Sequence, residues 1–173
     1  PQKHIATWEK FCSVYELEIP HTISEGGETR FHSVKNALEN ITGDDSFVAV
    51  HDGVRPAASI ELIRNIFYAA EKNGNAVPFL PLSESIRKTD DNGNNLYADR
   101  KNFISIQTPQ CFSVTSLRKA YAQDYNSIFT DDATTVEAAT GEKIFLIEGE
   151  RPNIKITTAE DLVFAEVLLS ART

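Results

Sequence analysis

The segment "HDGVRP" sets a carboxylate, Asp52, and a guanidinium, Arg55, three residues apart, directly after a short apolar run, "SFVAVH". A carboxylate so placed can position a divalent ion, and an arginine can clamp a phosphate, because the guanidinium fork matches phosphate oxygens. An ordinary salt bridge across a turn uses the same two residues. Gly53 between them lets the backbone pass close to a ligand, whereas His51 reads more simply as part of a local hydrogen-bond network. A second group lies in "GGETRFHSV", where Gly26, Gly27, Arg30 and Ser33 surround a helix start. They offer backbone N–H groups, a cation and a hydroxyl, which is the chemistry of nucleotide recognition, although a solvated helix start accounts for them equally. Arg100, Lys155 in "NIKITT" and Thr108 in "QTPQ" add two cations and a hydroxyl; singly, such residues are surface charges or turn formers.

These residues need elements to hold them. Ile5, Trp8, Phe11 and Cys12 recur at helical spacing and predict a first helix with one side on a core, and Glu16 to Pro20 reads as a short strand. Phe31, Val34, Ala37, Leu38 and Ile41 mark a second helix. Ser46 to His51 is a strand, so Asp52 and Arg55 fall at its carboxyl end, where open parallel sheets bind ligands. Ser59 caps a helix that presents Ile60, Ile63, Phe67 and Ala70 on one face and stops near Asn73 and Gly74.

"AVPFLPL" is a further strand, but Pro78 and Pro81 each lack a backbone donor and speak against an uninterrupted central one. Residues 83–100 form an antiparallel arm around "TDDNGN", with too little core of its own, expected to pack on a partner subunit. Beyond it come an extended segment Phe103 to Gln107, a helix from Ser113 to Tyr121, and a small-residue helix after "FTDD". A strand over Lys143 to Ile147 follows. The last helix is capped by Thr158, carries Glu160 and Asp161 in its first turn, and turns Leu162, Ala165, Leu168 and Leu169 inward. The alternation predicts a layered α/β domain over residues 1–173 with a mostly parallel sheet.

Composition bounds the function. A chain of 173 residues with 41% hydrophobic and 24% charged residues folds as one domain, neither disordered nor low in complexity. Its net charge of -8 argues against a nonspecific nucleic-acid surface while leaving room for a local anion pocket. Cys12 and Cys111 are too few for a disulfide scaffold and match no zinc spacing. No apolar run reaches the roughly 20 residues of a membrane span, and the opening "PQKHIATWEK" lacks a secretion signal, so a cytoplasmic location with no membrane partner is expected.

"GGETRFHSVKNAL", "VAVHDGVRP", "QTPQCF", "FTDDATTVEAATG" and "RPNIKITTAEDLVFAEVLL" occur in order from about Trp8 to Leu169. Together they resemble the 2-C-methyl-D-erythritol 4-phosphate cytidylyltransferase family of the non-mevalonate isoprenoid pathway; ribitol-5-phosphate cytidylyltransferase shares much of the pattern. The resemblance implies a Rossmann-like nucleotidyltransferase fold with a projecting β-arm, and attack of the alcohol phosphate on the α-phosphorus of CTP with loss of pyrophosphate. It places Gly27, Arg30, Ser33, Asp52 and Gly53 around the nucleotide, Asp52 on Mg²⁺, and Arg55, Ser85, Arg100, Thr108 and Lys155 around the polyol phosphate. Lys155 and Asp52 are the catalytic residues it implies. It also implies a homodimer whose arms cross between subunits.

Family members normally begin with a glycine-rich CTP-binding loop and a PKQ segment, which these residues do not contain. The N-terminal part of the domain is therefore expected to be missing, and the chain by itself to bind CTP poorly and turn over negligibly. A noncatalytic dimerisation or regulatory module is the alternative that this absence suggests.

Overall fold

The computed structural model describes residues 2–171. They divide into two compact units, one formed by the chain up to Ser46 with Ser113–Lys143, the other by Phe47–Phe112 with the chain from Ile144 onward.

The first unit is helical. After a 3-10 turn, Gln2–His4, come α1 (Ile5–Val14) and α2 (Arg30–Leu38). The expected N-terminal gap is corrected here to the extent that residues 2–14 are present as helix. None of α1 is buried: Trp8 stacks on Phe11 at 6.0 Å, and its indole donates to His21 Nε2 at 3.0 Å. The predicted strand over Glu16 to Pro20 is irregular chain, with Glu16 at φ 50°. α2 is capped by the Thr29 hydroxyl and buries Phe31 and Leu38.

In the second unit β1 (Phe47–Val50) precedes α3 (Ile60–Asn73), which Ser59 caps and Gly74 ends in the left-handed region at φ 86°. The buried face of α3 is Leu62, Ile66 and Ala70, while Ile60 is exposed; the apolar stripe is rotated from the expected one. These residues pack with Ala76 and Cys111 as the core beneath the sheet. β2 (Asn75–Pro81) leads into the arm, β3 (Ile86–Thr89) and β4 (Asn95–Ala98), paired antiparallel from Ile86 opposite Ala98 to Thr89 opposite Asn95. β5 (Ile104–Ile106) and β6 (Gln110–Ser113) follow. The chain then re-enters the first unit as α4 (Val114–Ala122) and α5 (Asp132–Thr140), and returns as β7 (Leu146–Glu148) and α6 (Ala159–Ser170).

The sheet runs β1-β6-β2-β5, with β7 also on β2. The expectation of a mostly parallel sheet is corrected: β2 pairs antiparallel with both β5 and β6, and parallel with β7. The reason is the connection. A parallel neighbour needs a crossover, whereas the chain between β2 and β5 is the hairpin arm, which returns it in the opposite direction.

β2 is also central, against the expectation from its prolines. Ile106 lies opposite Phe79 and Cys111 opposite Ala76, so one strand advances five positions while β2 advances three. Two extra residues bulge out over Gln107, Thr108 and Pro109. The Pro78 carbonyl accepts from Gln107 N–H at 2.8 Å, so the donor that Pro78 lacks faces this bulge, and Pro81 sits at the strand end.

The start of α6 is fixed by a capping box: the Asp161 amide donates to the Thr158 hydroxyl, and the Asp161 carboxylate accepts from the N–H groups of Thr157 and Thr158 at 2.8 and 2.9 Å. Of the four residues expected to turn inward only Ala165 is buried; Leu168 is half-buried, and Leu162 and Leu169 are exposed.

The Thr157 amide, then its hydroxyl, hold the Asp161 carboxyl below its ordinary value of 3.8. A lowered acid contributes stability that is present above the unfolded value and lost as pH falls through the folded one. Thermal melts of Asp161→Asn from pH 2 to 6 are therefore expected to show a weaker dependence on acid than the parent.

Candidate active site

β1 delivers the chain into a tight turn in which Arg55 N–H donates to the Asp52 carbonyl at 3.0 Å. The Asp52 carboxylate is nearly enclosed, with 13% of its side chain exposed, and lies between two cations: Lys155 Nζ at 3.1 Å and Arg55 Nε at 3.5 Å. Lys155 is the open member, at 47%. The segment carrying it is tied to the turn by Ile156 N–H donating to the Val54 carbonyl at 2.9 Å. At Gly53 a Cβ would meet open space, so nothing in the turn itself requires glycine.

The bulge holds the turn from the other side. The Thr108 hydroxyl oxygen accepts from Asp52 N–H at 3.0 Å and lies 2.9 Å from His51 Nδ1. Gln107 and Asn153, both buried, were not apparent as site residues from the sequence. The Asn153 amide donates to the Thr108 carbonyl at 2.8 Å, and its backbone carbonyl accepts from Arg55 Nη1 at 2.8 Å and from Gln107 Nε2 at 3.1 Å. Gln107 also exchanges hydrogen bonds with the backbone of Glu150. Gly149 is required here, since a Cβ would come within 2.3 Å of Gln107 Oε1. One buried asparagine, through its side-chain amide and its backbone carbonyl, thus joins the bulge, the Arg55 guanidinium and the segment leading to Lys155. The only signal for it in the sequence is its place in "RPNIK".

Ser85 and Arg100 lie elsewhere in this unit, lining a concavity of about 570 Å³ at the base of the arm with Arg87, Tyr97 and Lys101. Arg100 Nη1 donates to the Ser83 carbonyl.

Gly27, Arg30 and Ser33 come together in the first unit. The Ser33 hydroxyl accepts from Gly27 N–H at 3.0 Å and donates to the Thr29 carbonyl at 3.0 Å, folding the glycine loop over the first turn of α2. Gly27 is needed there because a Cβ would lie 2.3 Å from that of His32. Arg30 makes a bidentate pair with Asp132, at 3.1 and 2.6 Å, and Tyr121 donates its hydroxyl to the same fully buried carboxylate at 2.5 Å. Burial, and then the Asp132 charge, push the Tyr121 phenol far up, so it stays a donor. Asp132 is thus the orienting partner of Arg30, which its place in "FTDD" did not disclose.

For Mg²⁺ the donor set is one carboxylate. That suits an ion held by one or two carboxylates plus substrate phosphates and water. Among the described residues no group of three His, Cys, Asp or Glu forms an all-protein cage. Cys12 and Cys111 are both free thiols; burial, and then Glu71, push Cys111 up to about 12. No helix among the described residues is long and apolar enough to cross a membrane.

A family model described as 2-C-methyl-D-erythritol 4-phosphate cytidylyltransferase matches residues 9–171. A protein of that name from Phocaeicola vulgatus is 43% identical over 169 residues, which are 98% of this chain and 76% of the relative. The crystal structure of the enzyme of that name from Thermus thermophilus superposes with a TM-score of 0.75 at 35% identity, over 88% of this chain and 77% of that one. The 4-diphosphocytidyl-2C-methyl-D-erythritol synthase of Anaerococcus prevotii superposes at 0.81 and 29% identity, over 97% and 75%. These matches run through the N-terminal residues, which are present and helical over residues 2–14, and the chain spans about three quarters of the length of these relatives.

Asn153→Ala strands the Thr108 carbonyl without its donor. Urea unfolding is expected to show a loss of about 1–3 kcal/mol; an unchanged midpoint would mean the amide carries none of the loop's stability.

Proposed function

The chain belongs to the 2-C-methyl-D-erythritol 4-phosphate cytidylyltransferase family, and from that premise we propose which of its residues carry the reaction. The activity is transfer of the cytidylyl group of CTP to 2-C-methyl-D-erythritol 4-phosphate, giving 4-diphosphocytidyl-2-C-methyl-D-erythritol and pyrophosphate. The observation that carries the assignment is the enclosed Asp52 carboxylate flanked by Arg55 and Lys155.

In-line displacement at phosphorus asks for positioning and charge stabilisation rather than a covalent nucleophile. Lys155, the exposed cation of the cluster, is free to turn from Asp52 towards phosphate oxygens and to offset the charge that builds up on them during transfer. Asp52 is the residue to hold Mg²⁺, which when bound neutralises phosphate charge. Arg55 and Thr108 bind the polyol phosphate, and Gly27, Arg30, Ser33 and Gly53 contact the nucleotide. The Arg30 fork is held by Asp132, and the Gly27 loop is pinned by Ser33. The supporting geometry for the arm is its isolated two-stranded pairing, which has little core of its own and gains by packing on a second copy. On this reading Ser85 and Arg100 act in the partner's site of a homodimer. Two free thiols and no long apolar helix among the described residues support a cytoplasmic location.

Two assays test the assignment. Pyrophosphate release from CTP is expected with 2-C-methyl-D-erythritol 4-phosphate and not with ribitol 5-phosphate; the reverse preference would refute the substrate. Mixed dimers with Arg100→Ala in one subunit and Lys155→Ala in the other are expected to regain activity, since crossed arms leave one site intact. No recovery in confirmed mixed dimers would refute the crossing.

A further inference from the structure

His51 occupies both ends of the turn that presents Asp52 and Arg55. Its Nε2 lies 3.0 Å from the Arg55 carbonyl oxygen, an atom that only accepts, so the proton of the ring sits on Nε2. Its Nδ1 lies 2.9 Å from the Thr108 hydroxyl, which donates to it whenever the imidazole is neutral. With its hydrogen directed at His51, the Thr108 oxygen turns a lone pair to Asp52 N–H at 3.0 Å. A chain of directed hydrogen bonds therefore runs from the Asp52 amide through Thr108 and His51 back to the Arg55 carbonyl.

We propose that His51 is a positioning residue, whose imidazole bridges the Thr108 hydroxyl and the Arg55 carbonyl and so holds Asp52 and Arg55 in register for the reaction. This rests on the placement of Asp52, Arg55 and Thr108 in the site.

The test is a double-mutant cycle read by pyrophosphate release at saturating CTP and polyol phosphate, with thermal melts to confirm folding. His51→Ala and Thr108→Val are each expected to lower kcat about 10-fold to 100-fold, the scale of a misplaced reacting group. The double variant is expected to be no worse than Thr108→Val alone. His51→Asn, whose amide oxygen can still accept from Thr108, is expected to retain more activity than His51→Phe. Additive losses in the cycle, a folded His51→Ala with parental kcat, or equal activity of the Asn and Phe variants would overturn the proposal. If Asp52→Asn and Thr108→Val themselves keep parental kcat, the site assignment has failed rather than the role of His51.

Discussion

The bulge between β5 and β6 is the constraint on which the candidate site depends. Two residues more than β2 can match must leave the ladder, and they do so opposite Pro78, which has no N–H to offer. Apart from the Gln107 N–H on the Pro78 carbonyl, Gln107 and Thr108 turn to partners outside the ladder: Thr108 to the Asp52 amide and His51, and the Gln107 side chain to the backbone of Glu150 and Asn153. Buried polar groups of this kind cost free energy unless each finds a partner, which is why the neighbouring loops are drawn into a defined arrangement around them. The proline and the extra residues solve one another's problem.

The electrostatic consequence is an enclosed carboxylate with a cation on either side. Arg55 is fixed by the Asn153 carbonyl and has little freedom, whereas Lys155 is half exposed and can exchange Asp52 for a phosphate without breaking a buried network. The two cations are therefore not equivalent: one shapes the site and the other can follow charge as it moves. In the helical unit Arg30 is locked by a buried Asp132, and the glycine loop is tied to α2 by the Ser33 hydroxyl and the Asn36 amide.

Much of this was legible in the residues. The strand before Asp52, the cap at Ser59, the stop at Gly74 and the hairpin arm all follow from local chemistry that acts over a few residues. The direction of the strands was not, because apolar alternation is blind to it; the deciding fact was that an arm rather than a crossover joins β2 to β5. Pro78 misled for the same reason, since its cost depends on what lies opposite. Asn153, Gln107 and Asp132 were invisible as parts of the sites because their partners are 45, 43 and 102 positions away. The apolar character of α1 and α6 promised burial that most of their residues do not have within the described structure.

The central claim is that Lys155 acts on charge that develops in the transition state rather than on CTP binding. Lys155→Gln keeps a polar side chain, one bond shorter, while removing the charge, and its kcat at saturating concentrations of both substrates is the most direct test. The account predicts a fall of about 100-fold or more with little change in the KM for CTP; a parental kcat accompanied by a raised KM would contradict it.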